Sequence, residues 1–335
     1  MTALAITIVL LLACAAAIYL SCEYFTNGVE WLGRSLAVSE TATGSILAAF
    51  GTALPESVVT LVAVAFGASA ASKEIGVGAA LGGPLALSTI AYAVVGLTLL
   101  LLGRELSKTE ETRTQFKRLG RDQIWFLAIF AGKIGLGLTS FAGKSWLGWL
   151  FLAAYAVYAR VELKGGAAEA ETEAPAPLRI APKAVTPGLG LILLQTAAAI
   201  AVIFVASRLF VGQLERLGPM LNMRPQLIAL LGSPIATELP EVMNAVIWLR
   251  QGKHRLALAN ISGAMMIQAT VPTALGLWFT PWRLDPPLVA GAIATAIAIS
   301  ILAAAFSRGF MSRRLLASMG AIYLGFVAAL VMFRL

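Results

Sequence analysis

The segment Gly51-Thr52-Ala53-Leu54-Pro55-Glu56 recurs 185 positions later as Ala236-Thr237-Glu238-Leu239-Pro240-Glu241, with Thr, Leu, Pro and Glu identical in the two copies. A weaker second match joins Ala79-Ala80-Leu81-Gly82-Gly83 to Asn260-Ile261-Ser262-Gly263-Ala264, at an offset of 181 positions. Two matches in the same order and at nearly the same spacing are typical of an internal duplication. The pattern therefore predicts two related halves.

Both copies lie within long apolar runs. The 335 residues are 59% hydrophobic and only 13% charged, whereas soluble domains carry about 45–50% apolar and about 25% charged residues. The runs are about 20 residues long, which is the length that a helix needs to cross the hydrocarbon core of a bilayer. The composition therefore predicts an all-α membrane protein that lies in the lipid bilayer.

The apolar runs predict about ten transmembrane helices. They cover residues 3–32, 41–68, 75–102, 122–140 and 146–161, and then residues 189–211, 226–249, 256–279, 288–306 and 315–333. A polar stretch rich in Ala, Glu and Pro separates the two groups and has the composition of a flexible linker. We therefore expect a first five-helix repeat over residues 1–162, a cytoplasmic linker over 163–187 and a second repeat over 188–335.

An odd number of spans in each half makes the second half enter the membrane from the opposite side. Such inverted repeats are a common plan of secondary transporters, with the substrate site near the bilayer midplane. With the N-terminus outside, seventeen Lys and Arg residues lie in loops on the cytoplasmic side, and seven lie on the opposite side. Because basic residues stay on the cytoplasmic side, this orientation is predicted, in the cell (inner) membrane.

Several classes of function are not indicated. The net charge of +8 comes from short loops between apolar runs, without a basic tail or an aromatic-basic platform, so no nucleic-acid partner is expected. No phosphate-binding loop, nucleophilic triad or Cys/His metal cluster occurs, so neither an enzyme nor a cofactor is predicted. Cys14 and Cys22 both lie in the first run, so no disulfide framework is expected.

The pairs Pro55-Glu56 and Pro240-Glu241 carry the chemistry of the repeated segment. A proline inside a helix frees the carbonyl four residues earlier, here that of Gly51 and that of Ala236. A glutamate in mid-membrane costs about 2.5–3.5 kcal/mol unless it is paired, protonated or coordinating a cation. Carboxylates beside freed carbonyls form an oxygen-lined site, which suits hard cations such as Ca²⁺ or Na⁺. The alternative is that both glutamates only stabilise the N-termini of broken helices.

These motifs resemble the two repeats of the calcium/cation antiporter superfamily, and most of all its sodium/calcium exchanger branch. The resemblance is carried by the paired Leu-Pro-Glu segments, the Gly-Thr before the first, and Asn260 to Gly263. It implies ten helices and the exchange of Ca²⁺ for Na⁺ or H⁺. It also implies that Glu56 and Glu241 are the central ligands of the cation, assisted by the hydroxyls of Thr52 and Thr237 and by backbone oxygens.

The chain departs from the family pattern at several ligand positions. The family serine before Leu-Pro is Ala53 in the first copy and Glu238, an additional carboxylate, in the second. The family's Asn and Ser ligands are missing from residues 78–84. In the second half Asn260 is retained, and Gln268, one turn beyond the lost serine, is a candidate substitute. The resulting site is richer in charge on the side of the second half. Alternatively, Glu238 faces a lumen or bonds to a neighbouring helix.

Three carboxylates that lie close together repel one another, so at least one should be protonated when no cation is bound. This favours H⁺ over Na⁺ as the coupling ion. The sequence thus predicts a secondary active antiporter that exchanges Ca²⁺ for H⁺ or Na⁺ by alternating access. Exchange of Mg²⁺, Mn²⁺ or a monovalent cation, a non-transporting cation sensor and a passive channel are the alternatives. The coupling ion, its stoichiometry and the oligomeric state stay open.

Overall fold

A computed structural model describes residues 3–35, 48–106, 109–165 and 176–333. These residues form helices and connecting turns, without β-strands among them. The helices are α1 (Ala3–Ser35), α2 (Ala48–Ala65), α3 (Ala70–Ala86), α4 (Tyr92–Leu101), α5 (Glu110–Gly137), α6 (Gly148–Gly165), α7 (Leu189–Met220), α8 (Pro225–Thr237), α9 (Leu239–Arg250), α10 (His254–Phe279), α11 (Pro286–Ser307) and α12 (Arg313–Met332). A π-helical turn, Leu87–Ala91, joins α3 to α4, and a 3₁₀ turn, Lys144–Leu147, precedes α6.

Each apolar run predicted from the sequence coincides with a helix, or with a pair of helices, where the structure describes it. Within the described ranges, five helical stretches are long and apolar enough to cross a membrane: α1, the continuous stretch from α3 to α4, α7, α11 and α12. The first seven residues of the second run, 41–47, lie outside the described residues. The all-helical architecture is as expected, and the crossing of all ten runs stays a prediction.

Several helices begin at residues that cap the free N–H groups of a first turn. The side chains of Ser69, Thr109, Asp285 and Ser312 each accept a hydrogen bond from the backbone N–H three residues later. Such caps satisfy donors that have no partner within the helix. They mark the points at which the chain turns back into the bundle.

The halves of the chain pack into one another rather than side by side. Helix α1 packs along α7, α3 along α8, α2 along α10, α5 along α11, α4 along α12 and α6 against α10. Glycines allow α3 to approach α8 closely. A Cβ on Gly78 would lie only 2.2 Å from the Gln226 carbonyl oxygen, and one on Gly82 only 2.7 Å from that of Leu230. Small residues allow helices to pack at such short distances in membranes.

The stretch predicted as a flexible linker is only partly described. Helix α6 continues to Gly165, and residues 166–175 lie outside the described residues. Residues 176–188 form turns rather than a helix. The division of the chain at residues 162 and 188 into two repeats stays a prediction.

The described end of this linker is held against α1 and α7 and is not the free segment that its composition indicates. The Ala176 carbonyl accepts hydrogen bonds from Asn27 Nδ2 at 3.0 Å and from Trp31 Nε1 at 2.8 Å. The backbone N–H of Ile180 donates to Gln195 Oε1 on α7 at 3.0 Å. The polar side chains of α1 and α7 thus find partners in the backbone of the linker, and these bonds hold residues 176–180 against both helices.

Candidate cation-binding site

The first copy of the repeated motif lies on α2, which runs unbroken through Pro55. Glu56 follows this proline and is only 1% exposed. Neither of its carboxylate oxygens has a hydrogen-bond partner among the described residues. The predicted ligands Gly51 and Thr52 also lie in α2, but the surroundings of the Thr52 side chain and of Gly51 lie outside what the structure describes. Of the predicted ligands in the first copy, Glu56 is therefore the one whose surroundings the structure describes.

The second copy of the motif breaks the helix. Helix α8 ends at Thr237, α9 begins at Leu239, and Glu238 lies at the junction as the cap of both. Pro240 offers no N–H to the carbonyl of Ala236, which is buried, and so the helical ladder is interrupted here.

Glu238 is buried and hydrogen-bonded. Its Oε1 accepts from the Thr237 hydroxyl at 2.7 Å, and its Oε2 accepts from Gln268 Nε2 on α10, also at 2.7 Å. The sequence left open whether Glu238 is a ligand, faces a lumen or bonds to a neighbouring helix. The structure shows the bond to a neighbouring helix, through Gln268. The predicted ligands Thr237 and Gln268 are thus brought to this carboxylate, where they donate hydrogen bonds to it.

Glu241 lies in the first turn of α9 and is fully buried. A carboxylate at this position is stabilised by the partial positive charge of the helix N-terminus. Glu241 also interacts electrostatically with Glu56 and with Cys22 of α1. Glu241 therefore lies at a helix N-terminus, which was the alternative role considered for it. It also lies beside the Glu56 carboxylate.

Glu56 and Gln268 meet over Gly83 of α3. The point that a Cβ on Gly83 would occupy is 2.6 Å from Glu56 Oε2 and 2.8 Å from Gln268 Oε1. Both oxygens are acceptors, and neither has a donor among the described residues. Buried acceptors are nearly always satisfied, so two of them facing the same glycine suit a bound cation or a proton.

The three glutamates do not surround one point. Glu56 interacts electrostatically with Glu238 and Glu241. Among the described residues, however, no three Asp, Glu, His or Cys side chains are close enough to hold one metal ion. Ligation of one cation by all three carboxylates therefore stays a prediction, which would require Glu238 to turn away from its present partners. The physical reason is that both oxygens of Glu238 are turned to Thr237 and Gln268.

Asn260, also predicted as a ligand, lies on α10 at a distance from these groups. It precedes Gln268 by eight residues, or about 12 Å along the helix axis. It is largely buried, and its Nδ2 has no hydrogen-bond partner among the described residues. The structure thus separates Asn260 from Gln268 and from the Glu238 carboxylate to which Gln268 donates.

A lysine that sequence analysis gave no role lies beside the carboxylates. Lys133 of α5 is fully buried, and its ammonium is attracted electrostatically by Glu56. Its Nζ donates to the carbonyl oxygen of Ala80 at 2.5 Å and to that of Gln268 at 3.3 Å. The signal in the sequence was a basic residue in the middle of an apolar run, because a charged residue at membrane depth is expected to have a function.

Comparison with known proteins identifies relatives along most of the chain. The family model of the sodium/calcium exchanger protein matches residues 6–163 and 191–335. Inner membrane protein YrbG of Escherichia coli (strain K12) is 23% identical over 271 residues, which are 81% of this chain and 79% of that protein.

Solved structures of ion exchangers share the fold. The crystal structure of the H⁺/Ca²⁺ exchanger CAX has a TM-score of 0.73 at 17% identity, with 97% of this chain and 82% of that chain covered. The sodium-calcium exchanger NCX_Mj has a TM-score of 0.62 at 19% identity, with 97% of this chain and 99% of that chain covered. At such identities the likeness establishes the fold, and the chemistry of the site rests on this chain's own residues.

Proposed function

The chain belongs to the sodium/calcium exchanger protein family, and from this premise we propose that it is a secondary active antiporter that exchanges Ca²⁺ for H⁺ or Na⁺. One observation carries the proposal. Glu56 is buried with both carboxylate oxygens unpartnered among the described residues, and an amide oxygen of Gln268 faces the same glycine. An isolated buried carboxylate is unstable unless it binds a proton or a cation.

In this proposal the cargo cation binds between Glu56 Oε2 and Gln268 Oε1, with the charge of Glu241 beside them. These are the hard oxygen ligands that Ca²⁺ prefers. A proton or Na⁺ competes for the same Glu56 carboxylate, so the two ions occupy the site at different times. Exchange follows when the occupied site opens alternately to the two faces of the membrane.

We further propose that the two halves are inverted five-helix repeats that meet at this site. The pairing of α3 with α8 is repeated by that of α10 with α2, and the pairing of α4 with α12 by that of α6 with α10. The pairings α1–α7 and α5–α11 each join corresponding helices of the two halves. This symmetry of contacts supports the repeats, as do the two segments, 6–163 and 191–335, that match the family.

Transport by the purified protein in liposomes tests the proposed function. Vesicles are loaded with radiolabelled Ca²⁺, and an H⁺ or Na⁺ gradient is imposed in one direction and then in the other. We expect Ca²⁺ to leave when the opposing ion enters, and the flux to reverse with the gradient. Ca²⁺ flux that needs no gradient would show a channel, and no flux would leave a cation sensor. The same assay with Mg²⁺ or Mn²⁺ identifies the preferred cargo.

A further inference from the structure

The two carbonyls that accept hydrogen bonds from Lys133 each lie four residues before a proline in a helix. Ala80 precedes Pro84 by four residues on α3, and Gln268 precedes Pro272 by four residues on α10. In an α-helix each carbonyl accepts from the N–H four residues later, and proline has none. Both carbonyls therefore lack the N–H that a regular helix would supply, and the ammonium of Lys133 donates to both of them.

The position of this ammonium is one that a small free cation would occupy. It lies between two carbonyl oxygens from different halves of the chain and is attracted by Glu56. The rings of Phe130 and Trp282 lie 5.8 Å and 5.9 Å from Nζ, within the range at which aromatic faces attract cations. Carbonyl oxygens, a carboxylate and aromatic faces are together the surroundings of a monovalent cation site, and here the cation is part of the protein.

The charge of Lys133 also changes the sum of charges at the site. Glu56, Glu238 and Glu241, when ionised, carry one negative charge more than a divalent cation can neutralise. The ammonium of Lys133 removes this excess. Glu238 stands where the first copy of the motif has Ala53, so the additional carboxylate and the additional cation offset each other.

We propose that Lys133 is a tethered monovalent cation that permanently occupies one cation position of the carboxylate cluster, so that the remaining charge matches a single divalent ion. Lys133 then determines the valence of the cargo. This rests on the proposed function of the same site as a cation exchanger. A lysine that only joined α3 to α10 through their carbonyls would not affect which cations bind.

Binding of radiolabelled Ca²⁺ to the purified protein tests the proposal, in buffers that contain either choline or methylammonium. Choline is too bulky to replace a lysine ammonium, whereas methylammonium reproduces it. In choline we expect Lys133→Ala to raise Ca²⁺ affinity by about tenfold or more, because the ammonium no longer competes with the divalent ion for the three carboxylates. Methylammonium should occupy the vacated position and return the affinity to the wild-type value. The double variant Lys133→Ala/Glu238→Gln, in which the lost positive charge is matched by a lost negative charge, should bind Ca²⁺ as the wild type does in choline.

Lys144 provides the matched control, since its Nζ also donates to backbone carbonyls, those of Thr139, Pro281 and Trp282. Lys144→Ala should bind Ca²⁺ as the wild type does in both buffers. Wild-type affinity of Lys133→Ala in choline, a loss of affinity, or a gain that neither methylammonium nor Glu238→Gln reverses would overturn the proposal.

Thermal unfolding of the same proteins separates this inference from the proposed function. If the wild type binds no Ca²⁺, the proposed cargo is wrong, but the charge balance can still be measured. We expect Lys133→Ala to lower the Tm, and both methylammonium and Glu238→Gln to raise it again. A Tm of Lys133→Ala that neither change raises would refute the role of Lys133 as a tethered cation.

Discussion

The two copies of the repeated motif share Thr, Leu, Pro and Glu, yet they fold differently. Helix α2 continues through Pro55, whereas the second copy is divided into α8 and α9 at Glu238. The difference lies in the residues around the shared ones. The second copy has another proline, Pro234, six residues before Pro240, and the corresponding residue of the first copy is Ala49. Two missing N–H groups so close together weaken the helix more than one does.

The break in the second copy lies at a carboxylate, Glu238, whose position in the first copy is Ala53. Glu238, at the break, is held by Thr237 and Gln268. Glu56, in the unbroken helix, has no hydrogen-bond partner among the described residues. The comparison teaches that the duplicated halves contribute unequally: the first offers Glu56, whereas the second offers its counterpart Glu241 and an additional carboxylate, Glu238, that is already hydrogen-bonded.

The largest effect should come from removing the charge of Glu56. We expect Glu56→Gln to lower the rate of Ca²⁺ exchange by about 30-fold or more, since loss of a buried charge from a binding pair costs at least about 2 kcal/mol. Initial rates of Ca²⁺ uptake into liposomes measure this. Glu74→Gln, at an exposed position of α3, is the control with the same change of charge. If Glu56→Gln exchanged Ca²⁺ at the rate of this control, the unpartnered carboxylate would not be the binding group.

A methyl group at Gly83 should disturb the place where the two halves meet. In Gly83→Ala the new carbon would lie 2.6 Å from Glu56 Oε2 and 2.8 Å from Gln268 Oε1, so both side chains must move. We expect exchange to fall about tenfold and the protein to lose about 1–3 kcal/mol of stability from overpacking. Transport and thermal unfolding measure the two effects.

Gly135→Ala on α5 is the control for this substitution, because a Cβ there meets nothing within 4 Å. It should leave exchange unchanged and should not lower the Tm, since alanine favours helix more than glycine does. Equal effects of the two alanines would show that the space over Gly83 is not part of the site.

The charge of Glu238 should matter less than that of Glu56, because Glu238 is already hydrogen-bonded. We expect Glu238→Gln to lower exchange about fivefold, or about 1 kcal/mol, and to make exchange less dependent on pH, since one proton-accepting group is lost. Transport across a series of pH values measures both. An unchanged pH dependence would remove Glu238 from the coupling of protons to exchange.

The smallest effect should come from Thr237, which donates one of the two hydrogen bonds to Glu238. Thr237→Val keeps the shape of the side chain and removes a hydrogen bond worth about 0.5–1.5 kcal/mol, so exchange should fall about threefold. Thr270→Val is the control, because the hydroxyl of Thr270 bonds only to carbonyls of its own helix. A loss of the same size in both variants would mean that the hydrogen bond to Glu238 has no separate role.

Much of the architecture could be predicted from the sequence, because apolar runs and prolines act locally. The positions of the helices follow from the length of the runs, and the burial of Glu56 and Glu241 follows from their place within them. The hydrogen bond from Gln268 to Glu238 was harder to predict, although both residues depart from the family pattern. It depends on how α10 faces the break between α8 and α9.

What could not be predicted depends on contacts between segments far apart in the chain. Lys133 reaches the site from α5, which carries no part of the repeated motif, and it binds carbonyls of α3 and α10. The linker was expected to be flexible because of its composition. Its described end is held by Asn27 and Gln195, two buried amides of α1 and α7, and by the ion pair between Arg179 and Glu23.

The hydrogen bonds of this linker limit how the molecule can change shape. Ala176 is bound to α1 and Ile180 to α7, and Gln195 of α7 also donates to Asn27 of α1 at 3.0 Å. A sliding of α1 along α7 would break the buried bond between Gln195 and Asn27, and it would pull residues 176–180 away from one of the two helices. The helix pair α1–α7 should therefore stay together as a rigid frame through a transport cycle, and the opening to either face must come from the remaining helices turning against it.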